Sequence, residues 1–86
     1  MEIEFKKGAL DDIEFWKRSG NKKIQKRITQ LLESISKSPE TGIGKPEKLK
    51  GELTGYWSRR INKEHRIIYK IEKQQVVIYA LKGHYE

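Results

Sequence analysis

The sequence contains no cysteine, which excludes disulfide staples and thiolate-ligated zinc or iron–sulfur centres. No apolar run approaches the ~18 residues that a membrane-spanning helix needs, so no membrane association is expected. The opening Met1-Glu2-Ile3-Glu4-Phe5 lacks the basic-then-apolar order of a secretory leader. A cytoplasmic location is the expectation from both. Hydrophobic residues are scarce, 35% against 36% charged, a balance that by composition alone leans toward disorder. At 86 residues the chain is too short for two domains, and one domain spanning 1–86 is expected.

Against disorder stand eight aromatic residues and clear apolar periodicity, which call for a packed core. The net charge is +7 and uneven: residues 1–41 carry nine basic and seven acidic side chains, residues 42–86 ten and five. A cationic surplus on one half suits a face that meets a polyanion, and it suits solubility equally well.

Residues 2–6 alternate polar and apolar and predict a half-buried strand, broken by Gly8. Leu10, Ile13 and Trp16 predict a helix over 9–18, with Asp11 and Asp12 in its first turn, Lys17 and Arg18 in its last, and Gly20 as a left-handed cap. Asn21 is an N-cap for a second helix with the stripe Ile24, Ile28, Leu31, Leu32 and Ile35, ended by Ser38-Pro39. Residues 38–52 read as a long loop anchored by Ile43 and Leu49. Strands follow at 55–61, 65–72 and 75–82, joined by turns at 62–64 and 73–74. The order β-α-α-β-β-β predicts an α+β fold with an antiparallel sheet covered on one face by an N-terminal helical pair.

Strand parity sets Arg66, Ile68 and Lys70 on one face and Ile67, Tyr69 and Ile71 on the other, without saying which face is open. It also groups His84 with Val76, Ile78, Ala80 and Lys82. Glu47 in a basic loop, Arg66 in a strand and a terminal His84-Tyr85 supply the types that metal-free RNA cleavage needs: a base, a fixed cation and an acid. By residue type alone the same set fits RNA binding without catalysis, or a solvated surface. Trp16 and Trp57 read as core or interface residues and His65, beside a turn, as structural. The basic run from Lys17 to Arg27, with no acid between its ends, reads as a solvated helix face or an RNA contact.

Four blocks narrow these alternatives. Gly42-Ile43-Gly44-Lys45-Pro46-Glu47-Lys48-Leu49-Lys50, Gly55-Tyr56-Trp57-Ser58-Arg59-Arg60-Ile61, Glu64-His65-Arg66-Ile67-Ile68-Tyr69 and His84-Tyr85 resemble, in order and spacing, the YoeB/Txe toxins of the RelE/ParE superfamily of toxin–antitoxin modules. Asp11, Asp12 and Trp16 extend the resemblance into the first half. The tail departs from the pattern at Gly83, where an aromatic is expected, and by the added Glu86.

The resemblance implies a RelE-like fold and a ribosome-dependent mRNA endoribonuclease that needs no metal or other cofactor. It assigns Glu47 as general base, Arg66 as phosphate clamp, His84 as general acid and Tyr85 as substrate-positioning residue. Lys45, Lys50, Arg59 and Arg60 would contact RNA. It further implies a YefM-type antitoxin as partner, operon DNA reached only through the antitoxin complex, and homodimerisation as one assembly state. A non-catalytic RNA-binding module and a ParE-like gyrase poison are the competing functions on the same fold.

Overall fold

A computed structural model describes residues 1–83; His84, Tyr85 and Glu86 lie outside the described residues. Strand β1 (Glu2–Phe5) leads through Lys6 into helix α1 (Lys7–Ser19), and helix α2 (Lys22–Lys37) follows after two residues. The chain then forms the two-residue strand β2 (Glu47–Lys48), a 3-10 turn at Gly51–Leu53, and strands β3 (Trp57–Arg60), β4 (Arg66–Glu72) and β5 (Gln75–Ala80). The five strands make one sheet in the order β1-β5-β4-β3-β2. The α+β class and the order of helices and long strands are as the sequence predicts.

The sheet is mixed rather than wholly antiparallel. β1 runs parallel to β5, in the register Ile3 opposite Val76 and Phe5 opposite Ile78. The loop expected at 38–52 also contains a strand, because Glu47 and Lys48 pair with Ser58 and Trp57. Ile43 is not an apolar anchor: its side chain is exposed, and its carbonyl does the anchoring. Leu49 is half-buried, and its N–H bonds the Tyr56 carbonyl at 2.9 Å.

Helix α1 begins two residues earlier than expected, so its first turn carries no acid and Asp11 and Asp12 fall in the second. Gly8 lies inside the helix. Its role is close approach, since a Cβ there would sit 3.2 Å from the Tyr79 carbonyl of β5. The helix ends on Gly20 at φ 72°, and Asn21 Oδ1 accepts from the Ile24 N–H at 3.0 Å to start α2. Both helices cover one sheet face. Ala9 and Trp16 from α1 and Ile24, Ile28, Leu31 and Ile35 from α2 pack on Ile67, Tyr69, Val76 and Ile78.

One charged residue is sealed into this core. Arg59 has no exposed surface. Its Nε donates to Tyr69 Oη (3.1 Å), Nη1 to Ser34 Oγ (2.8 Å) and the Ile43 carbonyl (3.1 Å), and Nη2 to the carbonyls of Ser38 (2.6 Å) and Thr41 (2.8 Å). No acid neutralises it among the described residues. The cation is instead solvated by carbonyl and hydroxyl oxygens gathered at the C-terminal end of α2, where the helix dipole favours positive charge. The expectation that Arg59 meets RNA is therefore corrected: its guanidinium faces inward with its donors engaged. Tyr69 in turn donates to the Pro39 carbonyl at 2.7 Å.

Replacing Arg59 with Met should lower stability by about 3–5 kcal/mol, because several buried oxygens lose their donors at once. Arg59→Lys should fall in the same direction, since an ammonium cannot reproduce the planar fork. Equilibrium denaturation checks both. Burial raises the Tyr69 phenol above its ordinary 10.0, outweighing the opposing pull of Arg59. A raised acid is held protonated in the folded state, so its contribution to stability is intact below pH 10 and is lost as pH rises through the folded-state value. Melting temperature should thus decline above pH 10, and Tyr69→Phe should remove that tyrosine's share of the decline.

Candidate functional site

The helices leave the opposite sheet face without a helical cover, and of its strand positions Ser58, Ile68, Val77 and Ala80 are nonetheless buried. Residues paired directly across neighbouring strands share a face, so the register assigns its occupants. Glu47 lies opposite Ser58, Ser58 opposite Ile68, and Ile68 opposite Ala80. Arg60 lies opposite Arg66. Lys70 lies opposite Val77, and the two N-terminal acids Glu2 and Glu4 flank the far edge. Of the two faces left undecided by parity, the one bearing Arg66, Ile68 and Lys70 is the open one.

The parity read along the last strand breaks at Tyr79. The pairing of β4 with β5 steps from Tyr69–Ile78 to Ile68–Ala80, which leaves Tyr79 as the extra residue of a β-bulge. Val76 and Ile78 consequently belong to the core and Ala80 to the open face. Tyr79 packs edge-on against Tyr56 with ring centroids 5.1 Å apart, and Lys70 Nζ stands 4.4 Å from the Tyr56 ring. These three half-buried side chains form an aromatic and cationic cover on the open side.

Glu47 and Arg66 are separated by two strand spacings across the sheet and two residues along it, roughly 12 Å between Cα atoms. Both side chains can therefore reach one ligand on this face. Glu47 is exposed and makes no ion pair with Lys45 or Lys50 among the described residues. Those two lysines flank it in sequence and are also exposed.

Arg66 does not pair with Glu64 or Glu72. Its Nη1 donates to the carbonyls of Asn62 (2.7 Å), His65 (3.1 Å) and Lys63 (3.4 Å), which holds the guanidinium at the β3–β4 turn. The turn is itself fixed by Asn62 Oδ1, which accepts from the N–H groups of Glu64 and His65 at 2.8 Å each. Arg60 and Arg66 hold directly opposed register positions on neighbouring strands, so two positive side chains start from adjacent points of this face.

His84 and Tyr85 lie outside the described residues. The chain that carries them is described up to Gly83, whose carbonyl accepts from the Arg66 backbone N–H at 2.9 Å. The turn histidine, His65, takes a structural place: its Nδ1 accepts from the Gly83 N–H at 3.0 Å and its ring meets Trp16 edge-on. Trp57 is half-buried against the core, with Lys48 Nζ 5.9 Å from its ring. Part of the basic run of α2 lines a separate groove of about 530 Å³, where Lys23, Lys26 and Arg27 stand above Ile24 and Ile61.

The Gly42-Ile43-Gly44 segment that leads to Glu47 is shaped by Arg59. A Cβ on Gly42 would meet Ser34 Oγ and lie 3.1 Å from Arg59 Nη1, and one on Gly44 would lie 2.5 Å from Leu31 Cδ2. Both glycines also have positive φ, 121° and 83°. The Gly44 carbonyl accepts from the Arg60 N–H at 2.7 Å, bringing the segment onto β3 just before β2 begins.

Comparison with known proteins fits this architecture. The family model of the YoeB-like toxin of bacterial type II toxin–antitoxin systems matches residues 5–85. This chain belongs to that family. The YoeB toxin of Synechocystis is 44% identical over all of this chain and 99% of its own length. That of Escherichia coli K12 is 38% identical over 99% of this chain and 100% of its own length. Among solved structures, a YoeB/ParE toxin from Agrobacterium tumefaciens superposes with a TM-score of 0.93 at 37% identity, covering 99% of this chain and 100% of that one. The toxin in a YoeB–YefM complex from Staphylococcus aureus gives 0.86 at 45% identity, covering 99% and 98%. The protein is thus a toxin of a type II toxin–antitoxin system with a RelE-like fold.

The opposed register positions of Arg60 and Arg66 yield a prediction within this YoeB-like site. Arg60→Gln should leave stability unchanged or raise it by up to about 0.5 kcal/mol, while weakening retention on a polyanion such as heparin. Thermal melts and salt-gradient elution read the two effects separately.

Proposed function

We propose that this toxin is a ribosome-dependent mRNA endoribonuclease, acting through 2′-OH attack without a metal. The observation that carries the reading is the sharing of one open sheet face by Glu47 and Arg66, with the Gly83 carbonyl bonded to the Arg66 N–H. Glu47 accepts the proton of a ribose 2′-OH. The 2′-oxygen attacks phosphorus, Arg66 offsets the charge that builds on the phosphoryl oxygens, and the bond to the 5′-oxygen breaks. His84 supplies the proton that the departing oxygen takes. Tyr85 positions the nucleotide. The products are a 2′,3′-cyclic phosphate and a 5′-hydroxyl.

Exposed Lys45, Lys50 and Arg60 surround the face with positive charge and serve as RNA contacts. The ribosome delivers the message, and translation stops as codons are cut in the A site. The natural antagonist is a YefM-type antitoxin, by analogy with the S. aureus YoeB–YefM complexes, and the toxin–antitoxin complex reaches operon DNA through the antitoxin. Free toxin pairs with a second copy, as in the S. aureus YoeB dimer. These events take place in the cytoplasm; among the described residues no helix is long and apolar enough to cross a membrane.

Glu47→Gln and His84→Gln should each lower mRNA cleavage by about 10²–10⁴ and abolish growth arrest while ribosome binding persists. Full toxicity in both variants would overturn the assignment. Mapping 5′ ends after induction should show cuts in frame within translated codons; intact mRNA with DNA-damage signalling would instead indicate a gyrase poison. Lys50→Ala should reduce the salt dependence of RNA binding by roughly one phosphate contact.

A further inference from the structure

β5 ends at Ala80, and there its regular ladder stops. Of the four bonds that hold Leu81 and Gly83 beyond it, three come from side chains and one from the Arg66 backbone. The Leu81 N–H donates to Asp12 Oδ2 at 2.8 Å, and the Leu81 carbonyl accepts from Trp16 Nε1 at 2.9 Å. Two residues on, the Gly83 N–H donates to His65 Nδ1 at 3.0 Å, and its carbonyl accepts from the Arg66 N–H at 2.9 Å. Asp12 and Trp16 come from α1, one turn apart, and His65 from the β3–β4 turn. Trp16 joins the two groups, its ring edge-on to His65 with centroids 4.9 Å apart at 81°. Acceptance at Nδ1 keeps the ring proton of His65 on Nε2. Leu81 is wholly buried, so its polar backbone would be orphaned without Asp12 and Trp16.

We infer that Asp12, Trp16 and His65 are positioning residues for the cleavage chemistry, clamping 81–83 so that the chain leading to His84 leaves from a Gly83 fixed against the Arg66 backbone. The inference rests on the proposed function above, because it assigns the clamp a purpose only if His84 is the acid. The three act through the backbone: the Gly83 carbonyl carbon is covalently bonded to the His84 amide nitrogen. A displacement of 1 Å at a proton donor can cost on the order of a hundredfold in rate.

The test is single-turnover cleavage of mRNA on saturating translating ribosomes, with amide hydrogen exchange at Leu81 and Gly83 measured on the free toxin. Asp12→Leu and His65→Leu remove the acceptors. Both should speed exchange at the matching amide and slow cleavage roughly 10–100-fold, with ribosome affinity changed by less than about twofold. Asp12→Asn and His65→Asn keep an acceptor oxygen near the original position and should restore most of the rate. Trp16→Phe keeps a buried ring, removes only the donor, and should slow cleavage several-fold on the order expected for one lost hydrogen bond. It remains informative if a leucine variant does not fold.

Wild-type cleavage rates in Trp16→Phe and in the leucine variants would overturn the clamp and leave the nuclease reading standing. So would leucine and asparagine variants that are equally slow, or rate losses matched by equal losses in ribosome affinity. A wild-type toxin that cuts no translated message would overturn the nuclease reading and this inference together.

Discussion

The buried guanidinium of Arg59 is the interaction on which the rest of the molecule is arranged. A full charge that no acid among the described residues neutralises is costly to bury, and the chain meets the cost by converging oxygens on it from three places: Ser34 and Ser38 at the end of α2, Thr41 and Ile43 in the following segment, and Tyr69 in β4. The result is a rivet through helix, loop and sheet. It explains why Gly42 and Gly44 are glycines, since the segment runs so close to the guanidinium and to Leu31 that side chains have no room. It also explains how an exposed acid can be held in a defined place: Glu47 follows three residues after the point where Gly44 is bonded to β3.

The two ends of the open face are organised by different means. On the β2 side, backbone pairing and the Arg59 rivet hold the strand. On the β5 side, the regular ladder has ended and side chains from α1 and the β3–β4 turn take its place. Between them lies a surface of two arginines and an aromatic-capped lysine, interleaved on the same face with Ile68 and Val77, which are almost fully buried. The scaffold is thus rigid where charged groups are displayed, which suits recognition of a polyanion by fixed rather than adaptable groups.

Much of the fold was legible because its signals are local. The stripe of α2, the Asn21 cap and the Gly20 terminus each depend on residues within one or two turns. What sequence reading missed depends on long-range register. Nothing in Glu2–Phe5 says that its partner is β5 or that the pairing is parallel, and nothing in β5 marks Tyr79 as the bulge that resets parity. Arg59 left a readable trace: Trp57, Arg59 and Ile61 alternate in one strand pattern, and an arginine between two core-facing residues should itself face the core. The bonds of Asp12, Trp16 and His65 left none, because their partners are main-chain atoms, to which any residue type contributes equally. Glu47 and Arg66 were singled out by family resemblance and chemistry; that they share a face follows only from the pairing of three strands.

The shortness of β2 has a consequence of its own. It forms one border of the sheet, and a border strand ordinarily presents a row of unsatisfied amides on which another chain can template a strand. Two residues, preceded by Pro46 and set among Lys45, Lys48 and Lys50, provide too little backbone and too much like charge for that templating. The border is thereby guarded against edge-to-edge fibril growth, even while its acidic side chain stays open to solvent.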